Sequence, residues 1–564
     1  MDSQEIDRLA RAVPAEERPV PPSRWVGFAS FLGVYGGEHI AATEFVIGAL
    51  LVTWGVKAGE LMLGLVVGNL LAASSYALVT APIAVDTRLT LFAYLRKVTG
   101  PWFQRVYNAT WGLISIVWAA SMMAISATSL KEVFSLPVQL NWYPTSAGCV
   151  ALTLALVAVT VLVASYGFKG VVKFSSLCVP WMVAIFFCGA AVALPLLCAK
   201  TGFPAVRGPG DLMRLMEAHV FNGSVPDGST RLSWVHVAAF AWICGFVYHV
   251  GLNDMSIFRF ARKRRYGWVG LYGMFLGHFF AWICAGLMGA AAAAVLGVGL
   301  QDLDSGAVAR SVLGVSGLVA VIVAGWTTAT PNIYRASLSF ATFFPSWSLR
   351  RLSFLVGLVI AVTACFPVVM RIDMIASYAA LLVPPVGAIC LTEHWLFPQL
   401  GMVRHWNLYR GSKVNPAALA AWSVSTGFAL CASFGGWLHP FFLPVPTFLL
   451  AGLAYLALAA LMGARRPVAE ARRREVDEVE SRIAELAVSE DEAPAGSERR
   501  PSICGRWTVV AILAGLVGAA VSVMAGVLPF GTFRTAAIVL TIAYFAVAVV
   551  RLLQASMSGR RSRT

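Results

Sequence analysis

Fourteen mostly apolar stretches of about twenty residues recur along the chain, and no other feature limits its fold so tightly. They run over 25–52, 58–81, 107–130, 147–166, 172–198, 234–252, 268–297, 310–334, 350–368, 372–396, 416–436, 441–463, 507–528 and 533–553, numbered here as spans one to fourteen. Such a run can cross the hydrocarbon core of a bilayer as an α-helix, a form that pairs its own backbone N–H and C=O groups. The pattern predicts an all-α polytopic membrane protein with the lipid bilayer as its surroundings. Composition agrees, at 58% hydrophobic and 13% charged residues, so the net charge of +15 is read first as membrane topology. The arginines sit in short loops and form no basic patch interleaved with aromatics, so nucleic acid is not an expected partner. Of ten cysteines, nine lie in apolar runs and none forms a CxxC pair, and no HExxH occurs. Neither a disulfide framework nor a zinc site is indicated.

Lysine and arginine set the orientation. With the N-terminus inside, 34 of the 43 fall on the inner side. They include Arg88, Arg96 and Lys97, then Arg259 to Arg265, then Arg335, Arg350 and Arg351. An error in the span count would scramble this alternation, so the bias supports the count. The expected location is the plasma (inner) membrane, multi-pass, with both termini cytoplasmic. Residues 1–24 are polar and proline-rich, lack an apolar signal region, and read as a cytosolic tail. Residues 25–463 form a twelve-span body, and 464–505 a charged cytosolic linker whose first half, RRPVAEARRREVDEVESRIAEL, reads as helix. Residues 506–564 add two spans and a basic tail, for which a structural or oligomerisation role is the default. The long outer loop, Lys200 to Ser233, reads as a cap.

Polar residues inside the spans mark candidate chemistry. Span eight carries Trp326-Thr327-Thr328-Ala329-Thr330-Pro331-Asn332. Hydrocarbon offers these groups no water, so each needs a partner. Thr328 and Asn332 share a helix face, and Pro331 removes a helix donor and predicts local weakening. Span one is interrupted at Gly36 and Gly37, followed by Glu38 and His39. Span six is interrupted at Gly245, followed by His249 and Asp254. Interruptions at corresponding places in two inverted halves point to a transporter's central site. Glu38 either pairs with His39 or a distant arginine, or handles solute or protons. Glu44 lies on another helix face, and both readings stay open for it. His249 reads first as a packing residue. Trp118, mid-span in span three, can stack a flat ring and donate one hydrogen bond.

WTTATPNIYRASLSFA, LGLVVGNLL around Gly68 and Asn69, GLNDMSIFRFARK, LLVPPVGAICLTEHWLF and KVNPAALAAW together resemble the nucleobase–cation symporter family, in its purine–cytosine permease branch. The resemblance covers about Trp25 to Gly463. It implies a five-plus-five inverted-repeat (LeuT-type) transporter fold with two extra helices, importing flat heterocycles on a Na⁺ or H⁺ gradient. By the same resemblance, Thr327 and Thr328 supply hydroxyls to sodium, and backbone carbonyls from Gly37 to Ala41 complete its site. Asn332 bonds the edge of the base, Trp118 stacks on it, and Gly245 and Phe246 line the other side. Glu38 and His39 join the candidate solute contacts. The chain departs from the family at Met122, at Ala329 to Pro331, in the stretched Asp254–Ser256–Arg259 signature, and at Glu38 and His39. These departures describe a divergent member and make proton coupling through Glu38 as natural as sodium. The competing readings are a proton-coupled transporter of an unrelated solute, such as an amino acid or vitamin precursor, and a membrane-embedded enzyme. The enzyme reading lacks a nucleophile or metal triad.

Overall fold

The computed structural model describes residues 1–137, 143–225, 229–366, 372–491 and 503–561, and these are helical nearly throughout. Among the described residues, ten helices are long and apolar enough to cross a membrane: Ala58–Thr87, Pro101–Phe134, Ala147–Ala164, Gly167–Thr201, Arg264–Leu296, Met374–Gln399, Pro416–Phe434, Pro440–Ala464, Trp507–Met524 and Phe530–Arg551. They correspond to spans two to five, seven and ten to fourteen. The four remaining spans differ for identifiable reasons. Span one is split into Phe28–His39 and Thr43–Thr53, and span six into Trp234–Cys244 and Phe246–His249. Span eight, Val315–Phe340, carries the polar run, and span nine, Leu349–Ala364, is only 16 residues long.

Each break has a local cause. At Ile40 the backbone turns to φ −92°, ψ 71°, and the next amide, Ala41 N–H, donates to the Glu44 carboxylate at 3.3 Å instead of continuing the helix. The last turn of the first half-helix is left with carbonyls that have no helical donor. In span six the chain turns at Gly245 and again at Leu252, where φ is 64°. Side chains seal that second unwound stretch. Asn253 Nδ2 donates to Val247 O at 2.7 Å, and the Thr80 hydroxyl donates to His249 O. Span eight differs from expectation: the helix runs unbroken through Pro331. Pro331 deprives Thr327 O of its helical donor, and the Asn332 side chain bonds one residue further on, Nδ2 donating to Thr328 O at 2.9 Å.

Small residues let these helices touch. A Cβ on Gly325 of span eight would lie 2.0 Å from Ser126 Oγ and 2.9 Å from Met122 O of span three. A Cβ on Gly37 would lie 2.9 Å from Ser175 Cβ and 3.3 Å from Thr327 Cβ. The broken point of span one is therefore pressed onto spans five and eight. Buried apolar side chains form two large clusters, and spans one and eight pass from one to the other. Val34 and Tyr35 belong to one cluster and Ile40 and Ala41 to the other; Tyr334 and Ile333 divide in the same way. The candidate site lies along this seam. Outside it, Trp181 Nε1 donates to Thr541, the Tyr544 hydroxyl to Leu177 O and Cys188 Sγ to Leu516 O, so the last two spans pack on span five.

Candidate functional site

Threonine hydroxyls inside an apolar helix have a default partner, the carbonyl one turn back. Thr327 Oγ1 takes that default, donating to Val323 O and Ala324 O at 3.1 Å each, with Met182 Sδ 3.8 Å away. Thr330 Oγ1 does the same to Trp326 O at 2.7 Å. Thr328 reaches further. Its hydroxyl lies 3.1 Å from Ala324 O, and also 3.2 Å from Glu38 O and 3.5 Å from Gly37 O, both in the last turn of the first half-helix. One hydroxyl and two unclaimed carbonyls thus converge between spans one and eight. Neutral oxygens of this kind suit a hard cation. The carbonyl of Ala41, expected to share the site, accepts instead from Glu44 N–H at 3.2 Å. Thr327 is turned toward its own helix.

Asn332 ties span eight to span six. Its Oδ1 accepts from the Tyr248 hydroxyl at 2.9 Å. Tyr248 follows the Gly245 break, and its ring meets Trp111 of span three edge-on, with centroids 5.9 Å apart. Trp111 is fully buried with no partner for its indole N–H. Trp118 lies two helical turns further along, half-buried, and its N–H is likewise unpartnered. Phe246 is not brought to Asn332. It packs into a separate apolar cluster with Trp242 and Phe448, at centroid distances of 5.5 and 6.2 Å. A Cβ on Gly245 would meet only ordinary contacts, His249 Cδ2 at 3.4 Å and the Tyr76 hydroxyl at 3.5 Å. Its part is in the chain turn, not in making room.

One turn beyond Asn332, Arg335 corrects the topology reading that counted it among loop charges. It is 0% exposed. Its Nη1 and Nη2 grip the two Glu38 carboxylate oxygens at 2.5 and 2.9 Å, and Nη2 also meets Asp254 Oδ1 at 2.5 Å. Tyr35 donates to the other Asp254 oxygen at 2.5 Å, and the guanidinium sits 4.6 Å above the Tyr248 ring. A bidentate guanidinium–carboxylate pair is among the strongest side-chain contacts. Here it joins spans one, six and eight at one point. Of the alternatives for Glu38, the distant arginine is its partner. His39 faces away: Nδ1 is 2.8 Å from Tyr35 O, and the ring lies 5.4 Å from His278 of span seven. His249 Nε2 is 3.0 Å from Trp242 O, a packing contact.

Reasoning from the sequence passed over Trp111, Tyr248 and Arg335. Helical spacing could have found two of them. Trp111 is seven residues before Trp118, and Arg335 three after Asn332, so each shares a face with a residue already singled out. Tyr248 carries no such signal, because the unwound chain around it has no fixed period.

No family model matches the chain, and no curated protein matches it. Solved structures do. Mhp1, a nucleobase-cation-symport-1 family transporter, in a closed conformation with bromovinylhydantoin bound, matches with a TM-score of 0.63 at 15% identity, over 82% of this chain and 99% of that one. Its inward-facing form matches with 0.57 at 16% identity, over 83% and 96%. A Na⁺-coupled sialic acid symporter, substrate-bound and outward-open, matches with 0.58 at 13% identity, over 82% and 96%. Helices broken at spans one and six, a long span eight laid against span one, and these neighbours together give the chain the five-plus-five inverted-repeat, LeuT-type transporter fold.

Proposed function

We propose that this chain is a secondary active symporter, with residues 25–463 as its transport unit, that imports a small nucleobase-like nitrogen heterocycle together with a cation. The observation that carries the reading is the Thr328 hydroxyl reaching the Gly37 and Glu38 carbonyls across the break in span one. A cation held by those oxygens would tie spans one and eight together, so its gradient would bias which state of the carrier is populated. The solute reading rests on a different set. Trp111 and Tyr248 offer ring faces and edges beside Asn332, whose amide bonds in both directions. Flat rings bearing adjacent donors and acceptors suit such a cradle. The neighbouring structures support symport as a class, and the Mhp1 complex with bromovinylhydantoin supports a heterocycle.

Uptake into proteoliposomes tests both halves. Thr328→Ala is expected to abolish the stimulation by a sodium gradient, and Asn332→Ala to raise the solute concentration needed for half-maximal uptake. Transport of cytosine, hypoxanthine and hydantoin at wild-type rates and affinities in both variants would overturn the assignment.

A further inference from the structure

Span five, Gly167–Thr201, meets its neighbours through two opposite faces. At about 100° of turn per residue, Ser175, Val179 and Met182 point one way, and Leu177, Trp181 and Cys188 point the other. The first face meets the broken half of span one and the polar run of span eight. A Cβ on Gly36 would lie 2.8 Å from Val179 Cγ1, and one on Gly37 2.9 Å from Ser175 Cβ. Met182 Sδ is 3.8 Å from the Thr327 hydroxyl. The second face meets the last two spans. Trp181 Nε1 donates to Thr541 Oγ1 at 3.1 Å, and the Trp181 ring meets Phe545 edge-on with centroids 5.1 Å apart. The Tyr544 hydroxyl donates to Leu177 O at 2.7 Å, and Cys188 Sγ to Leu516 O at 3.5 Å. Trp181 is fully buried beneath this cover.

These outer contacts bracket a weak turn. Pro180 has no N–H, so Ser176 O loses its helical donor, yet the helix runs on through the proline. Prolines inside helices are where helices bend. Leu177 O and the Trp181 indole, on either side of Pro180, are the points at which span fourteen is bonded to span five. Span fourteen is also fixed near its start. Arg534 Nη2 donates to Arg310 O at 3.2 Å and to Ser311 O, in the last turn of the short helix Ser305–Leu313 that leads into span eight. A guanidinium is favourably placed at a helix C-terminus. Span fourteen thus ties span five to the entry of span eight. These are the two spans that close on span one, where Gly37 lies against both Ser175 and Thr327.

We propose that spans thirteen and fourteen brace the transport unit: they hold the Pro180 turn of span five, and through it they set how closely spans five and eight press on the Gly37 and Glu38 carbonyls. Trp181, Thr541 and Tyr544 are then positioning residues, which tune the affinity of the cation site without touching the ion. The affinity half of the proposal rests on the transport reading, and the bracing half does not.

Two measurements on the full chain in detergent decide it: equilibrium binding of radioactive sodium, and hydrogen exchange of residues 174–184. The double variant Thr541→Val with Tyr544→Phe keeps the shape of the contact and removes both hydroxyls. Its amides around Pro180 should exchange faster than in wild type, with the protein still monodisperse. The sodium concentration for half-maximal binding should rise roughly two- to tenfold, the effect of one ordinary hydrogen bond. Thr541→Ser, which keeps the acceptor, should match wild type in both measurements. Val539→Ala, at a side chain 57% exposed on the same span, should change neither. Unchanged exchange in the double variant overturns the proposal. So does faster exchange with unchanged sodium affinity, which would leave the extension as a structural cover, and so does an equal change in Val539→Ala. A wild-type protein that binds no sodium would instead remove the cation reading, and with it the affinity half. The exchange result then decides the brace by itself.

Discussion

The same chemistry, guanidinium against carboxylate, appears in two parts of this molecule with opposite consequences. At the seam of spans one, six and eight, Arg335 holds Glu38 and Asp254, with exposures of 0%, 8% and 1%. On the strap formed by the N-terminal helix Ser3–Arg11 packed on the linker helix Glu470–Ser489, Arg482 holds Asp7 with 37% and 33% of the side chains exposed. Water and ions screen the second pair, and its long side chains lose freedom in making it. Nothing screens the first. Its attraction is large, and so is the cost of taking three charges out of water. The difference teaches that the buried triad acts as a fastener that cannot be partly undone. The exposed pair on the strap is a small contact by comparison.

The sharpest way to break the comparison is Arg335→Ala. It leaves two carboxylates buried without a cation, and should cost about 3–5 kcal/mol, read as loss of monodisperse protein or a large drop in Tm in detergent. Combining Arg335→Met with Glu38→Gln and Asp254→Asn removes every charge and should restore most of that loss. A triple variant no more stable than Arg335→Ala would show that the triad's charges are not its energetic core. Next in size is Tyr248→Phe. The ring packing stays, but Asn332 Oδ1 loses its donor, and a single hydrogen bond of about 1 kcal/mol predicts a several-fold loss of solute affinity. Unchanged affinity would place the solute away from span six.

Effects on the strap should be smaller and should depend on pH. Burial alone raises the Glu480 carboxyl, but the Arg96 and Lys97 charges outweigh it and hold it below its ordinary value. Its contribution to docking is thus complete above the unfolded carboxylate value, about 4.3, and is lost as pH falls through the lower folded value. Protection of the 470–489 amides, taken relative to their intrinsic exchange rate at each pH, should therefore hold from neutral pH down to about 5 and fall below about 4. Glu480→Gln should exchange faster at neutral pH and lose the acid dependence. Last comes Arg482→Ala, which should leave Tm unmoved and only modestly speed exchange of the strap. A loss comparable to that of Arg335→Ala would erase the distinction between the two regions.

How much could be read in advance follows from the range of each interaction. Spans two to five, seven and ten to fourteen follow from runs of apolar residues, because bilayer length and backbone pairing act on contiguous sequence. The break at Gly245 and the polar run of span eight were legible for the same reason; the break expected at Gly36–Gly37 falls instead at Ile40, because the helix runs through both glycines to His39. Pro331 misled, since it removes only one helical donor and the helix, packed against spans one and three, continues through it.

The sequence by itself determined that this chain is a bundle of membrane-length helices with two of them broken and one polar. It also supplied the short list around Thr328 and Asn332, because helix period is a local property. Only the tertiary structure decided which side chains meet. Thr327 and Thr328 are adjacent and chemically identical, yet one bonds its own helix and the other crosses to span one. Glu38 and Arg335, 297 residues apart, become one bidentate pair. The physical reason is rotation. About 100° of turn separates neighbouring residues on a helix. The direction each one faces is set by how small residues such as Gly37 and Gly325 let the helices seat against one another.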